Sequence, residues 1–238
     1  MKIEILYPEI ANLYGESANY MYLKKCLPKA TFIETSLNNK PQFLSTKIAL
    51  VYLGASSEEH QELIIKKLMP YKEEIKKHIE DNQLFLATGN AWEIFGQYIE
   101  NEDGSKIEAL NIFDYYSKRN LKHRHNSLFL GDFNDIAIVG YKSQFSHTYN
   151  LKNNKFIKVK RGVGSNPNSK EEGIHYKNFF GTYLLGPFLI INPYFTKYLL
   201  KLMNSKKPLA FEEASIDAYL YRLKELEDPK TIVTSKHN

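Results

Sequence analysis

Several side chains in this sequence could take part in acyl or proton transfer around a single turn: Thr88 and Glu93 beside Gly89, Ser57 and His60 after Gly54, and His147 further along. The turn lies in Leu84-Phe85-Leu86-Ala87-Thr88-Gly89-Asn90-Ala91-Trp92-Glu93-Ile94-Phe95-Gly96. An apolar run stops at Thr88-Gly89-Asn90, and Ala91, Ile94 and Phe95 then recur at helical spacing. The pattern predicts a buried strand, a tight elbow and a helix start, which together aim backbone N–H groups and one side chain into a crevice at the strand's carboxyl end. Enzymes with this geometry place a nucleophile on the elbow and a base beside it. Here the elbow is Gly89, which has no side chain. A hydroxyl standing in for it, on Thr88 or Ser57, would need an adjacent base. His60, one turn into the next helix, reads as a capping or surface residue.

Other reactive types are sparse. Cys26 is the single cysteine and reads as a small buried side chain near a helix end. It excludes an internal disulfide and a cysteine zinc site, and suits a reducing, cytoplasmic compartment. His123 and His125 flank Arg124 and would share a strand face, but no third ligand accompanies them. A solvated loop is the better reading, and neither metal nor cofactor is expected. Gly162-Val163-Gly164 reads as a turn, since it lacks the rest of a nucleotide-loop pattern.

The elements that must position these residues are legible as an α/β alternation. Lys2–Tyr7 alternates polar and apolar residues and predicts a first strand, which Pro8 ends. Ser17 or Asn19 can cap a helix with Met21, Tyr22 and Leu27 on its apolar face. Ala30–Thr35 predicts a second strand. Ile48–Leu53 is a continuous apolar run, as in strands covered on both faces. Gly54-Ala55-Ser56-Ser57 ends it, Ser56 or Ser57 can cap the next helix, and Pro70 interrupts that helix. Beyond Gly96 the texture changes. Asn101–Ser105 predicts a hairpin tip, and Phe129, Ile136, Ile138 and Val139 predict short antiparallel strands. Gly162–Gly173 predicts a loop and Tyr176–Leu185 a strand. Asn192-Pro193 opens a helix, and Phe211–Leu226 predicts a last one with Ile216, Leu220 and Leu223 inward.

No linker or repeat divides the 238 residues, so residues 1–228 are expected to form one domain and 229–238 a frayed polar tail. The net charge of +5 is spread among acids along the chain, which describes a solvated surface and not a nucleic-acid groove. The N-terminus lacks the apolar core of a signal peptide, and no apolar run reaches the ~18 residues that span a bilayer, so membrane insertion is not expected.

Four stretches, in order, resemble the cobyric acid synthase-type glutamine amidotransferases. Leu6-Tyr7-Pro8 with Asn12-Leu13-Tyr14-Gly15-Glu16 and Asn19 is similar to L-Y-P…N-L-Y-G-D…N. Tyr52-Leu53-Gly54-Ala55-Ser56-Ser57-Glu58 through Gln61 falls at F-I-G-G-G-Q-D…Q. Leu86 to Gly96 is similar to L-A-I-C-G-G-Y-Q-L-L-G. Gly173, Tyr176-Lys177-Asn178, Gly181-Thr182-Tyr183-Leu184-Leu185-Gly186-Pro187 and Asn192-Pro193 match G…Y-K-N…G-T-Y-L-H-G-P…N-P. Within the family the resemblance is strongest to the glutaminase subunits of lipid II isoglutaminyl synthases, which help amidate peptidoglycan precursors in the bacterial cell wall.

The resemblance implies an α/β three-layer sandwich of the class I glutamine amidotransferase type, with a mostly parallel central sheet and an antiparallel extension. In that family a cysteine thiolate attacks the glutamine carboxamide and a histidine shuttles the proton. The matching positions are Gly89 and Leu185, so no catalytic residue is expected here. The glycines that let an oxyanion approach closely are replaced by Ala55, Ser56, Asn90 and Ala91, and the glutamine after them by Glu93. Gly140-Tyr141-Lys142-Ser143-Gln144 resembles G-F-E-N-H, with His147 three residues beyond that histidine. Gly54, Ala55, Ser56, Asn90, Ala91, Glu93 and His147 are then the residues that would line a remnant pocket. The expectation is a catalytically silent amidotransferase-like protein that binds a small ligand there or a Mur-ligase-like partner, the partner the resemblance implies. The rivals are an enzyme with a relocated mechanism through Glu93, Thr88 or His147, and a homodimer that uses only its outer surface.

Overall fold

The computed structural model of the chain describes residues 1–152 and 154–234. β1 (Lys2–Leu6) leads to α1 (Ser17–Cys26), then β2 (Thr31–Thr35) and β3 (Leu50–Leu53). α2 (Glu58–Leu68) and α3 (Lys72–Glu80) come next, separated by a 3₁₀ turn at Met69–Tyr71. Pro70 has no N–H with which to continue the helix. β4 (Phe85–Thr88) pairs in parallel with β3, and β1 pairs in parallel with both β2 and β3.

The apolar runs are covered on both faces. Leu6, Val51, Leu53, Phe85 and Ala87 pack with Ile64, Ile65, Ile75 and Ile79 of α2 and α3. Their neighbours in sequence, Ile3, Ile5, Leu50, Tyr52 and Leu86, point the other way, against Tyr22 and Leu23 of α1 and against Phe195 and Leu199. Alternate side chains of one strand thus feed two cores, and the result is a helix–sheet–helix sandwich.

After β4 come β5 (Tyr98–Glu100), β6 (Lys106–Glu108), β7 (Tyr116–Arg119), β8 (His125–Phe133), β9 (Ile136–Gln144), β10 (Ser146–Tyr149), β11 (Lys155–Arg161), β12 (Glu171–Tyr176) and β13 (Phe179–Thr182). The main sheet runs β2-β1-β3-β4-β13-β12-β11-β8-β9, with β13 parallel to β4 and the remaining pairs antiparallel. The parallel half with an antiparallel extension is the expected architecture. A second sheet, β10-β7-β5-β6, contains the hairpin whose tip is expected at Asn101–Ser105, here joining β5 to β6; that β7 and β10 extend it into a separate sheet is a finding that the sequence pattern does not anticipate. The helices α4 (Phe188–Ile191), α5 (Pro193–Leu202) and α6 (Glu212–Glu227) complete the chain. Among the described residues no helix is long and apolar enough to cross a membrane.

Several local expectations are corrected. α1 is capped from outside, by the Asn12 Oδ1 that accepts from Ser17 N (2.8 Å), while Asn19 is buried within the helix and Met21 is 57% exposed. Ser57 caps α2, accepting from His60 N. The segment expected as one strand from Tyr176 to Leu185 is a hairpin, β12–β13, turned by Lys177 at φ +52. β8 and β9 are long strands of nine residues each. α6 buries Ser215, Tyr219 and Leu226, and Leu220 faces solvent, because Tyr219 reaches in to donate to the Ala137 carbonyl (2.9 Å). The chain does not leave the domain at Asp228. Leu128 N donates to Val233 O (2.8 Å) and the Arg161 guanidinium gathers the carbonyls of Leu226, Asp228 and Thr231, while residues 235–238 lie outside the described ones.

Candidate functional site

β1, β3, β4 and β13 lie side by side in parallel, and the loops that leave their carboxyl ends meet. β4 stops at Thr88 and the chain turns at Gly89 with φ +60, a left-handed conformation that is cheap only for glycine. The turn opens into a 3₁₀ helix, Gly89–Phe95, where the sequence suggests an α-helix. A Cβ on Gly89 would lie 2.4 Å from the Ala55 Cβ and 3.0 Å from Leu185 Cδ2. Ala55 and Leu185 are each only 3% exposed. The elbow is therefore present, and the space in front of it is filled by a methyl group and a leucine side chain.

The backbone donors of the two turns are also engaged. Asn90 reaches across the crevice and bonds Ser56 reciprocally, accepting from Ser56 N (3.0 Å) and donating to Ser56 O (2.9 Å). An N–H that the β3–α2 turn would aim into the crevice thus belongs to a side-chain amide. Gly54 is a packing position, since a Cβ there would meet the Ala11 carbonyl oxygen at 2.6 Å.

Beneath the elbow lies a buried polar network. Gln61 Nε2 donates to Asn90 O (2.6 Å) and to Glu93 Oε2 (2.9 Å), and its Oε1 accepts from Arg119 Nη2 (2.8 Å). The other carboxylate oxygen of Glu93 accepts from Tyr183 OH (2.7 Å) and Ser146 Oγ. Burial pushes the Glu93 carboxyl up, and these donors and the charge of Arg119 only partly offset it. A second carboxyl, Glu16, sits behind the elbow and accepts from Thr88, from Tyr52 and from Gly186 N (2.7 Å). Burial pushes it up too. Thr88, a stand-in nucleophile by residue type, is 0% exposed and committed to Glu16. Lys142, in the G-F-E-N-H-like segment, is buried, donates to Val163 O (2.9 Å) and Gly164 O (2.6 Å), and is pushed down to about 8 by burial, with Glu172 opposing.

The remnant-pocket residues divide into two groups. The structure brings Ala55, Ser56, Asn90 and Glu93 together, linked through Gln61. Ala91 joins the apolar core. His147 points elsewhere. On β10, Ser146 and Thr148 face inward to Glu93 and Tyr183, so the intervening His147 lies on the opposite face, with its ring 5.4 Å from that of His125. His125 is thus on a strand and paired with His147, not with His123 in a solvated loop. Among the described residues no group of three or more His, Cys, Asp or Glu could hold a metal. Glu16, Arg119, Lys142 and Tyr183 escape sequence reasoning. For Glu16 there was a signal, the acid that closes the N-L-Y-G-D-like run.

A parallel sheet with a strand–elbow–helix crevice at its carboxyl edge is the architecture of the class I glutamine amidotransferases. Solved structures agree in fold: PurLQS from Thermotoga maritima aligns with a TM-score of 0.54 at 12% identity over 93% of this chain and 98% of that one. A structure described as a glutamine amidotransferase aligns at 0.56 and 10% identity over 85% and 99%. The chain belongs to the CobB/CobQ-like glutamine amidotransferase domain family, whose pattern matches residues 2–192. It is 30% identical over 210 residues to the lipid II isoglutaminyl synthase (glutamine-hydrolyzing) subunit GatD of Staphylococcus aureus (strain N315), covering 87% of this chain and 85% of that one. To the subunit of the same name from Streptococcus pneumoniae (strain ATCC BAA-255 / R6) it is 28% identical over 203 residues, covering 81% and 76%.

Proposed function

We propose that this chain is a glutaminase-silent subunit that works by binding a ligase-like protein in peptidoglycan-precursor amidation. One observation carries the reading. The elbow that positions a nucleophile in this family holds Gly89, and Ala55 with Leu185 occupies the space a nucleophile would need. Without a nucleophile and base the covalent step is lost, and removing such a group alone costs on the order of 10⁴ in rate or more. The bond from Asn90 to Ser56 N further supports the reading, because it withdraws a donor from any oxyanion. The filled elbow favours a protein partner over a small ligand held in the crevice. The word subunit in the relatives' names points the same way.

The relocated-mechanism reading finds no such support. Thr88 is bonded to Glu16, Glu93 is bonded to Gln61, Ser146 and Tyr183, and His147 faces His125. No two of the three groups it invokes meet. The test is ammonia release from glutamine by the purified chain, alone and with a Mur-ligase-like protein from the same genome. The expected result is no release above the blank in either case, together with a stable complex by light scattering. Glutamine-dependent release that a substitution at Glu93 abolishes would overturn the silent reading, and absence of a complex would overturn the partner.

A further inference from the structure

At the amino ends of β1 and β2, on the edge of the parallel strands opposite the elbow, the end of α1 and the loop after α5 border an open groove of about 750 Å³. The two segments are tied together there. Cys26 Sγ accepts from Ala210 N (3.3 Å), and Tyr22 OH donates to Ala210 O (3.0 Å). The floor is apolar, with Cys26 and Leu209 buried in it. The rim carries Lys25, Lys29, Lys206 and Lys207, all exposed.

The charge around this groove is one-sided. No Asp or Glu occurs between Glu16 and Glu34 or between Glu172 and Glu212, the two stretches that supply the rim. The outer acids of those stretches are already engaged: Glu34 bonds Lys24 (2.8 Å) and Glu212 bonds Lys197 (2.7 Å). Among the described residues none of the four rim lysines forms an ion pair. Four like charges gathered round an apolar floor select an anionic occupant.

The chemistry of the rim selects among anions. It holds no arginine and no aromatic ring, the groups that fork to nucleic-acid phosphates and stack on bases. Protein interfaces are likewise depleted in lysine and centre on aromatic and arginine anchors. A bilayer surface needs no fixed geometry. Lysines on flexible stems reach a plane of phosphates, and apolar groups between them meet the acyl boundary. Pro28 and Pro208 are exposed among the lysines and supply that apolar contact.

We infer that this groove is a peripheral docking site for an anionic phospholipid surface, with Lys25, Lys29, Lys206 and Lys207 on the headgroup phosphates and Pro28 and Pro208 against the acyl boundary. Docked by this edge, the chain keeps the loops at the carboxyl ends of its parallel strands turned away from the membrane. The surface is remote from Gly89, and the inference stands or falls independently of the silent-site reading.

The experiment is vesicle co-sedimentation of the full chain, with circular dichroism on every variant. Wild type is expected to bind vesicles of equal parts phosphatidylglycerol and phosphatidylcholine and to leave pure phosphatidylcholine vesicles unbound. Binding should be lost as salt rises from about 50 to 500 mM, where charges are screened within a few ångström. A lysine near an anionic surface contributes about fivefold in affinity. Lys25→Gln/Lys29→Gln and Lys206→Gln/Lys207→Gln should therefore each bind about thirtyfold more weakly. Lys66→Gln/Lys67→Gln, the same change of charge at exposed positions of α2, should stay within about threefold. Should one groove pair fail to fold, the other still decides. A wild type that ignores anionic vesicles, or groove and control pairs that weaken binding alike, would overturn the inference. So would displacement by millimolar inorganic phosphate at constant ionic strength, which would mean a site for free phosphate. Tighter binding to polyuridylate or to polyglutamate, lost in the same lysine pairs, would also overturn it and assign the groove to nucleic acid or to an acidic protein segment.

Discussion

The methyl group of Ala55 stands where any side chain on Gly89 would have to begin, with 2.4 Å between the two Cβ positions. Gly89→Cys therefore combines a left-handed backbone costing ~1–2 kcal/mol with overpacking of ~1–3 kcal/mol. In urea unfolding it is expected to lose about 3 kcal/mol, the sum of those two costs, and Ala55→Gly in the same chain should return the overpacking share. Gly89→Cys with Leu185→His, the pair that rebuilds the family's reactive residues, is expected to release no ammonia from glutamine while Ala55 and Asn90 remain. A pair that reached the activity of the family's enzymes would show that those two residues matter less than their geometry implies.

Asn90 and Ser56 supply a second test, since each satisfies the other's polar groups across the crevice. Asn90→Ala leaves a backbone N–H and a backbone carbonyl of a nearly buried residue without their partner, which costs about 1–3 kcal/mol. The expected result is a lower denaturation midpoint with an unchanged slope. Asn90→Asp keeps the acceptor and loses the donor, so its loss should be smaller or similar and should vary with pH.

How much of this is legible in the sequence depends on the range of the interactions. Leu50–Leu53 and Phe85–Thr88 announce themselves because a strand covered on both faces needs no polar residues. The second sheet is legible only in part: the Asn101–Ser105 turn announces the β5–β6 hairpin, whereas β7 and β10 are strands of four residues whose partners are remote, as Ser117 is from Ile99 and from Thr148. The absence at Gly89 is legible as a residue type; that Ala55 and Leu185 close the space is not, because it depends on where three loops meet. Glu16 shows the limit most plainly. It is one of 27 acids, marked in the sequence only by its place at the end of the N-L-Y-G-D-like run, and what it holds together appears when Tyr52, Thr88 and Gly186 arrive from 36, 72 and 170 residues away.

The facing imidazoles of His125 and His147 give the protein an acid-sensitive joint between its two sheets. Both are pushed down to about 4. Burial is the main cause in each, joined by the positive charge of Lys142 and, for His147, by His125 itself. Their folded values lie below the unfolded one, so they are neutral in the native chain where they would be charged in the unfolded one. The stability they contribute is complete above the unfolded value near 6.5 and is lost as pH falls toward 4. Both rings are partly exposed, so solvent screening reduces the pair's contribution to about 1–2 kcal/mol. Glu4, Glu16, Glu93 and Glu172, all pushed up, act in the opposite sense: their contribution is complete below the unfolded carboxylate range and is lost as pH rises through their folded values. The histidine part is therefore read as a difference. The melting temperature of wild type should fall between about pH 7 and pH 4.5 by more than that of His125→Gln/His147→Gln, and equal slopes would refute the assignment.

Glu93 stands where the family has glutamine, and the network shows why the exchange back is not conservative. Every neighbour of the carboxylate presents a donor: Ser146 and Tyr183 to one oxygen, Gln61 Nε2 to the other. In Glu93→Gln one of those oxygens becomes an NH₂. Turned toward Ser146 and Tyr183, it makes both hydroxyls give up donation to a carboxylate and accept instead, with Tyr183 left to donate to Thr148, and turned the other way it opposes the amide of Gln61. Gln61 cannot simply flip to offer its oxygen, because that oxygen accepts from Arg119 Nη2 and its amide also holds the Asn90 carbonyl. In that second orientation the mismatch travels from Glu93 through Gln61 to a buried guanidinium; in the first, the hydroxyl network is re-aimed and two bonds to a carboxylate are lost. Glu93→Gln is expected to cost about 1–3 kcal/mol at neutral pH, although it removes a buried carboxyl with a raised pKa. Glu93→Gln with Gln61→Glu moves the carboxylate next to Arg119 and should recover part of that loss. Denaturant unfolding of the two singles and the double closes the cycle, and simple additivity would mean that the two side chains do not act as one network.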